Sequence, residues 1–172
     1  MKKYSGIIIL VNLVLLLLYF NFSVVKKEEI LKDGQLILLE LAPVDPRSLM
    51  QGDYMRLRYK MAAETNTDSI ARRGYCVVRL GHGNVANLVR FQQEQVPLAQ
   101  GEFLIAYTTP DKWSLEIGAE SYFFEEGQGE KYEQAQYGGL MVDHKGNSIL
   151  TGLYDKNLRV IETVNKKHKA IK

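Results

Sequence analysis

A run of 20 residues without a single charge, Gly6–Val25 (GIIILVNLVLLLLYFNFSVV), constrains this chain more than any other feature. About 20 apolar residues wound as a helix, each rising about 1.5 Å, span the hydrocarbon of a bilayer. Lys2 and Lys3 precede the run, and Lys26 and Lys27 follow it. A cleaved signal peptide has a shorter apolar core and a small-residue cleavage site. Here the run closes on Phe22-Ser23-Val24-Val25-Lys26-Lys27, with no Ala-x-Ala-like site. The expectation is an uncleaved signal anchor, with Tyr19, Phe20 and Phe22 toward its far interface, where aromatic residues collect. Flanking lysines nearly balance, but a long following domain translocates largely regardless of them. The rest of the chain is therefore expected outside the cytoplasm. The organisation read from the sequence is a tail (1–5), a transmembrane anchor (6–25), a charged connector (26–34), a β-rich domain (35–162) and a polar tail (163–172).

After the anchor, apolar runs of four to eight residues alternate with turn signals, the pattern of many short strands. Gln35–Ala42 is the first. Tyr54–Met61 (YMRLRYKM) alternates, with Met55, Leu57, Tyr59 and Met61 on one face and Arg56, Arg58 and Lys60 on the other. Tyr75–Leu80 and Val85–Phe91 flank Gly81-His82-Gly83-Asn84 and read as a hairpin. Glu102–Thr109 and Trp113–Gly118 flank Pro110-Asp111-Lys112, and a last hairpin turns on Lys145-Gly146-Asn147. Leu158–Glu162 is a candidate final strand. Helical signal after the anchor is confined to Met61–Arg73, loop or short helix, and to Gly127–Gly139, where Tyr132, Ala135 and Gln136 share a face and Gly138 reads as a stop. The expected fold is mainly β: an N-terminal transmembrane helix, then an antiparallel β-rich domain, barrel or curled sheet, with one or two short helices.

Composition excludes little. A net charge of +2 in 172 residues is too small to indicate nucleic acid. The lone cysteine, Cys76, cannot form an internal disulfide and sits in YCVVRL, where it reads as a buried thiol. His82, His144 and His168 lack ligand spacing, so no metal site is expected. Gly127-Gln128-Gly129 lacks the rest of a phosphate-binding fingerprint, so no cofactor is expected, and no small-ligand class is indicated.

The segment Asp45–Tyr59 (DPRSLMQGDYMRLRY) carries the densest chemistry. Asp45-Pro46 suits a helix start, Gly52 a turn end, and Asp53 a carboxylate that accepts backbone N–H groups. Arg56, Arg58 and Lys60 form a basic row on one strand face, which reads either as a solvated face or, with the free amides of the short helix start, as an anion-binding one. Ser48 has a faint likeness to the catalytic segment of serine–lysine signal peptidases, although no general-base lysine can be assigned. Glu125, Glu126, Glu130 and Asp143 are carboxylates that glycoside-type hydrolysis would need at a fixed separation. Of these, Glu126, with Asp53 and Arg56, is a candidate for a charge network joining distant segments.

Gly52-Asp53-Tyr54-x-x-Leu57-x-Tyr59 is the spelling that names the GDYXXLXY protein family, and the chain resembles that family there. A second region agrees: Phe123-Phe124-x-Glu126-Gly127, then Tyr132, Ala135 and Tyr137-Gly138, then LMVDHKGNSILTGLYD from Leu140 to Asp155. In that family an acidic residue is expected after Gly138, where this chain has Gly139. The resemblance implies a bacterial protein of the inner membrane, single-pass, whose domain accompanies a larger membrane protein. Asp53, Tyr54, Arg56, Arg58, Tyr59, Glu126, Tyr132 and Tyr137 are the expected binding residues, with no catalytic residue assigned. The competing reading is a membrane-tethered hydrolase using Ser48 or paired carboxylates.

Overall fold

The computed structural model of the protein describes residues 5–42, 54–111, 113–125 and 128–161. A single helix, α1 (Ser5–Asp33), takes up the whole apolar run and continues through the charged residues after it. An apolar stretch in lipid has no other partner for its backbone groups than the helix itself. Asn21, one of the polar side chains inside the run, turns its amide back to the Leu17 carbonyl at 2.8 Å. From Gly6 to Asp33 every residue is exposed except Ser23 and Ile30, seven apart and on one face.

The helix gives way to β1 (Gln35–Glu40) after one residue. That residue is Gly34, whose N–H still donates to the Ile30 carbonyl at 3.0 Å. A Cβ there would collide with that carbonyl and sit 3.2 Å from the backbone N and O of Val142. Only glycine permits so close an approach. The β domain therefore follows directly on the apolar helix. Two turns of helix, about 12 Å at 1.5 Å per residue, separate Val25 from the first strand.

The remaining elements are β2 (Tyr54–Arg56), α2 (Lys60–Ala63), β3 (Arg73–Leu80), β4 (Ala86–Gln92), β5 (Glu102–Thr108), β6 (Ser121–Phe123), α3 (Gly129–Tyr132), β7 (Tyr137–Val142) and β8 (Ser148–Tyr154). They form three antiparallel sheets ordered β1-β7-β8, β2-β6 and β4-β3-β5. Central β3 buries Cys76, Val77 and Val78 in succession, so it reads as a continuous apolar run rather than an alternating one. The β3–β4 hairpin turns through Gly83 (φ 66°) and Asn84 (φ 63°), left-handed positions suited to these two residue types. The β7–β8 hairpin is held by Asp143, whose carboxylate accepts from the Lys145 and Asn147 N–H groups at 2.9 and 2.8 Å.

Isolated bridges knit the sheets together: Leu38 pairs with Val85 and Leu41 with Tyr59. The Ala106 N–H donates to Gly146 at the tip of the β7–β8 turn, 2.8 Å away. All three sheets share one core. Ile37, Leu140 and Leu153 meet Cys76, Ile105 and Tyr107 from β3 and β5, and Met55, Leu57 and Tyr59 from the motif segment. Cys76 is fully buried, and burial pushes its thiol up to about 12. The folded protein is therefore expected to resist a thiol-reactive dye at neutral pH and to be labelled only on unfolding. Fast labelling under native conditions would contradict the buried placement.

Several local expectations are corrected. Among the described residues there is no closed barrel. The strand expected over Tyr54–Met61 stops at Arg56. Tyr59 makes only a single bridge, and Lys60 opens α2, where the Ala62 and Ala63 N–H groups both turn back to the Tyr59 carbonyl at 3.0 Å. The Gly127–Gly139 helix shrinks to one turn, Gly129–Tyr132, and Gly138 is not a stop but part of β7. Trp113–Gly118 is not a strand. Its one bridge is Glu116 to Thr108, since Asp111 binds the Trp113 and Ser114 N–H groups and curls the chain. Val160 contributes only one bridge, to Tyr154. The charged segment after the anchor is helical through Asp33.

Candidate functional site: the motif surface and its groove

The motif segment divides into inward and outward residues. Met55, Leu57 and Tyr59 are buried, while Tyr54, Arg56 and Arg58 are exposed. Antiparallel pairing of β2 with β6 sets Tyr54 opposite Phe123 and Met55 opposite Tyr122. The two regions that carry the family resemblance are therefore adjacent strands.

Tyr59 explains why the motif ends in tyrosine. Its ring is 1% exposed, and its hydroxyl donates to the Ala119 carbonyl at 2.6 Å, 60 residues away in sequence. Burial first, and the nearby Glu120 charge second, push that hydroxyl far above its ordinary range. The ring also covers Gly138, where a Cβ would lie 3.0 Å from Cε1. On the opposite face of β7, a Cβ on Gly139 would run into the Tyr154 ring. An acidic residue after Gly138 would therefore require Tyr154 to move. Consecutive glycines let tyrosine rings close on both faces of one strand.

Tyr132 anchors the second region. It is 1% exposed and packs between Tyr122 and Phe124, with ring centroids 5.2 and 5.3 Å away. Burial, and then a hydrogen bond with Tyr132, raise the Tyr122 hydroxyl to about 12.

Above this frame lies a groove of about 350 Å³, where the end of β1, the chain after β2 and the chain after α3 converge. Backbone bonds tie the three together: the Leu41 N–H to Gln136 at 2.8 Å and the Ala42 N–H to Arg58 at 2.7 Å. Met55, Leu57 and Tyr132 line its apolar side, and Glu40, Arg58 and Glu133 its polar side. Arg58 makes no side-chain ion pair with any described residue, whereas Arg56 reaches Glu116 at 3.6 Å and Lys60 is held by Glu40. On the outward face of β2 and β6, Tyr54 and Phe123 form a tilted pair with ring centroids 5.8 Å apart, and Phe123 is 73% exposed.

Of the eight expected binding residues, the structure brings Arg58 and Tyr132 to the groove and leaves Tyr54 and Arg56 on the nearby surface. Tyr59 belongs to the interior. Tyr137 is half-buried on β7, paired with Glu40 and Tyr154. Asp53 and Glu126 lie outside the described residues, as do Ser48 and the expected helical turn Pro46–Met50. Phe123 and Glu40 were not singled out by sequence reasoning. Phe123 carried a signal, its place in the second motif, whereas Glu40 joins only through register. Two other carboxylates have local duties: Asp143 holds its own turn, and Glu125 accepts from Gln128 Nε2 at 2.9 Å. Among the described residues no buried side-chain polar atom lacks a partner. At the surface the described residues present an aromatic pair and a guanidinium without an ion pair to any described residue.

Residues 16–153 match the GDYXXLXY protein family. The chain is a member of that family. No curated protein and no solved structure matches it. The GDYXXLXY match begins inside α1 and ends in β8, so it takes in the second part of the apolar helix together with most of the β domain. The helix of this GDYXXLXY protein is long and apolar enough to cross a membrane, and fits a single-pass anchor or a signal sequence.

Proposed function

We propose that this GDYXXLXY protein is a membrane-anchored binding domain that accompanies a larger membrane protein. In this reading α1 is retained in a bacterial inner membrane, and the β domain lies on its extracytoplasmic side. The observation that supports the reading is the exposed Tyr54–Phe123 pair, on the same motif segment as the Arg58 groove and over a frame of buried tyrosines. Exposed aromatic residues and arginine are the types that dominate binding hot spots. The direct junction at Gly34 supports it too, because it holds that surface at a set height above the bilayer.

The test is site-specific photocrosslinking in intact cells with the crosslinker at position 123, and at exposed Trp113 as a control. A polytopic membrane protein captured from position 123, and lost with Tyr54→Ala plus Arg58→Glu in a variant that still folds, is the expected result. Equal capture from both positions, or capture that survives both substitutions, would refute it.

A further inference from the structure

A second, larger cavity of about 840 Å³ opens between the end of α1 and the β domain. The helix residues that border it are Ser23, Lys26, Lys27, Ile30 and Asp33, spaced as one stripe, with Glu29 at its edge. Ser23 and Ile30 are the two half-buried positions of that helix from Gly6 to Asp33, so this face is the one turned toward the domain. Opposite it stand Leu98 and Phe103, with Lys145 from the β7–β8 turn.

The position of this cleft relative to the anchor is informative. Its lining starts at Ser23, inside the uncharged run, and continues past Lys26 to Asp33. On the anchor reading above, on which this inference rests, its lower end meets the edge of the hydrocarbon and its upper part lies at headgroup height. Leu98 and the neighbouring Val96, 73% exposed, add apolar surface on the same side of the domain.

The charges are ordered along the helix. Nearest the apolar run come Lys26 and Lys27, with Lys26 Nζ 4.5 Å from the Phe22 ring centroid. Glu29 and Asp33 follow, about 4.5 and about 10 Å further along at 1.5 Å per residue. The other two acids of the lining are committed elsewhere, Glu102 to Arg90 and Ala99 and Asp143 to its own turn. A ligand entering from the bilayer would thus meet cations first and carboxylates second.

We propose that the cleft binds the headgroup of an aminophospholipid from the surrounding bilayer. Lys26, Lys27 and Lys145 take the phosphate, while Glu29 and Asp33 take the primary ammonium beyond it. A phosphate lies next to the glycerol and the ammonium further out, the same order in which the helix presents its charges. Lysine pairs with phosphate as a point charge, which a mobile headgroup tolerates. A purely anionic headgroup would leave Glu29 and Asp33 opposed, and a quaternary one would give them no N–H to accept.

The test uses the full chain in nanodiscs of equimolar phosphatidylethanolamine, phosphatidylglycerol and phosphatidylcholine with matched acyl chains, followed by native mass spectrometry. The expected result is that phosphatidylethanolamine adducts persist after the other two are stripped. Lys26→Gln with Lys27→Gln and Lys145→Gln is expected to lower that retention about fivefold or more, given the strength of lysine–headgroup attraction. Glu29→Gln with Asp33→Asn is expected to shift retention toward phosphatidylglycerol. All five side chains are exposed, so the domain's thermal melt should not move. Retention of phosphatidylglycerol or phosphatidylcholine in preference by the wild type, equal retention of all three, or no response to either set of substitutions would overturn the proposal. An intact mass lacking α1 would overturn the anchor reading and the cleft together, whereas a full-length mass without lipid preference overturns the cleft alone.

Discussion

Tyr59→Ala is expected to destabilise the β domain by roughly 3–5 kcal/mol, the range for truncating a large buried ring. Against a typical domain stability of about 5–15 kcal/mol, that is enough to populate the unfolded chain under mild conditions. The size follows from what the ring does. It fills the space over Gly138, joins the core with Leu57 and Leu140, and donates a hydrogen bond from its hydroxyl to the Ala119 carbonyl. Tyr59→Phe keeps the packing but leaves a buried carbonyl without its donor, an expected loss of about 1–3 kcal/mol. Gly138→Ala should also destabilise, because the new Cβ would stand 3.0 Å from the ring. In a Tyr59→Ala background that penalty should vanish, a coupling that a double-mutant cycle detects. Chemical denaturation followed by circular dichroism is the appropriate readout, since Trp113 is 89% exposed and reports little on folding. If Tyr59→Phe melts like the wild type, the Ala119 bond is not contributing as argued.

Acidification should weaken the domain through Glu102. Its side chain is 3% exposed and meets Arg90 at 2.9 Å and Arg79 at 3.4 Å, while its second oxygen accepts from the Ala99 N–H at 3.0 Å. The Arg90 bond first, and the Ala99 bond second, hold its carboxyl down at about 2 from an ordinary 4.5. A depressed folded-state value means that the unfolded chain takes up the proton more readily. The stabilisation is therefore complete above 4.5, declines as pH falls from there, and is gone below about 2. Asp111, bound by Ser114, and Asp155, bound by the Arg159 N–H, are also lowered and act in the same direction. Glu102→Gln should lower the melting temperature at neutral pH and flatten its dependence on pH within that window. Parallel pH curves for wild type and variant would remove Glu102 from the account.

Much of the architecture was legible because it is local. An uncharged run of bilayer length can be satisfied only as a helix in lipid. The hairpins at Gly81–Asn84 and Lys145–Asn147 announce themselves through residues that tolerate left-handed backbone or cap a turn. The inward set Met55, Leu57 and Tyr59 follows from strand periodicity even though the strand itself is short. At Trp113–Gly118 the reading failed for a local reason, the Asp111 carboxylate curling the chain, whereas at Gly138 a distant partner overrode the local preference. Lys60 begins a helical turn beside Glu40 from β1, and the helix expected through Gly138 yields because that glycine is needed in a strand under a tyrosine from the other motif. Asp53 and Glu126 carry sequence signal but lie outside the described residues.

The sequence by itself determined the apolar helix, the antiparallel β character and the family, since each rests on composition, period or spelling along a continuous stretch. Only the tertiary structure decided that the two motifs are neighbouring strands, that Tyr59 is interior while Tyr54 and Phe123 face outward, and that the anchor's lysines and acids border a cleft. Those facts depend on strand register and on which side chains meet across 60 or more residues, and no local pattern encodes such distances.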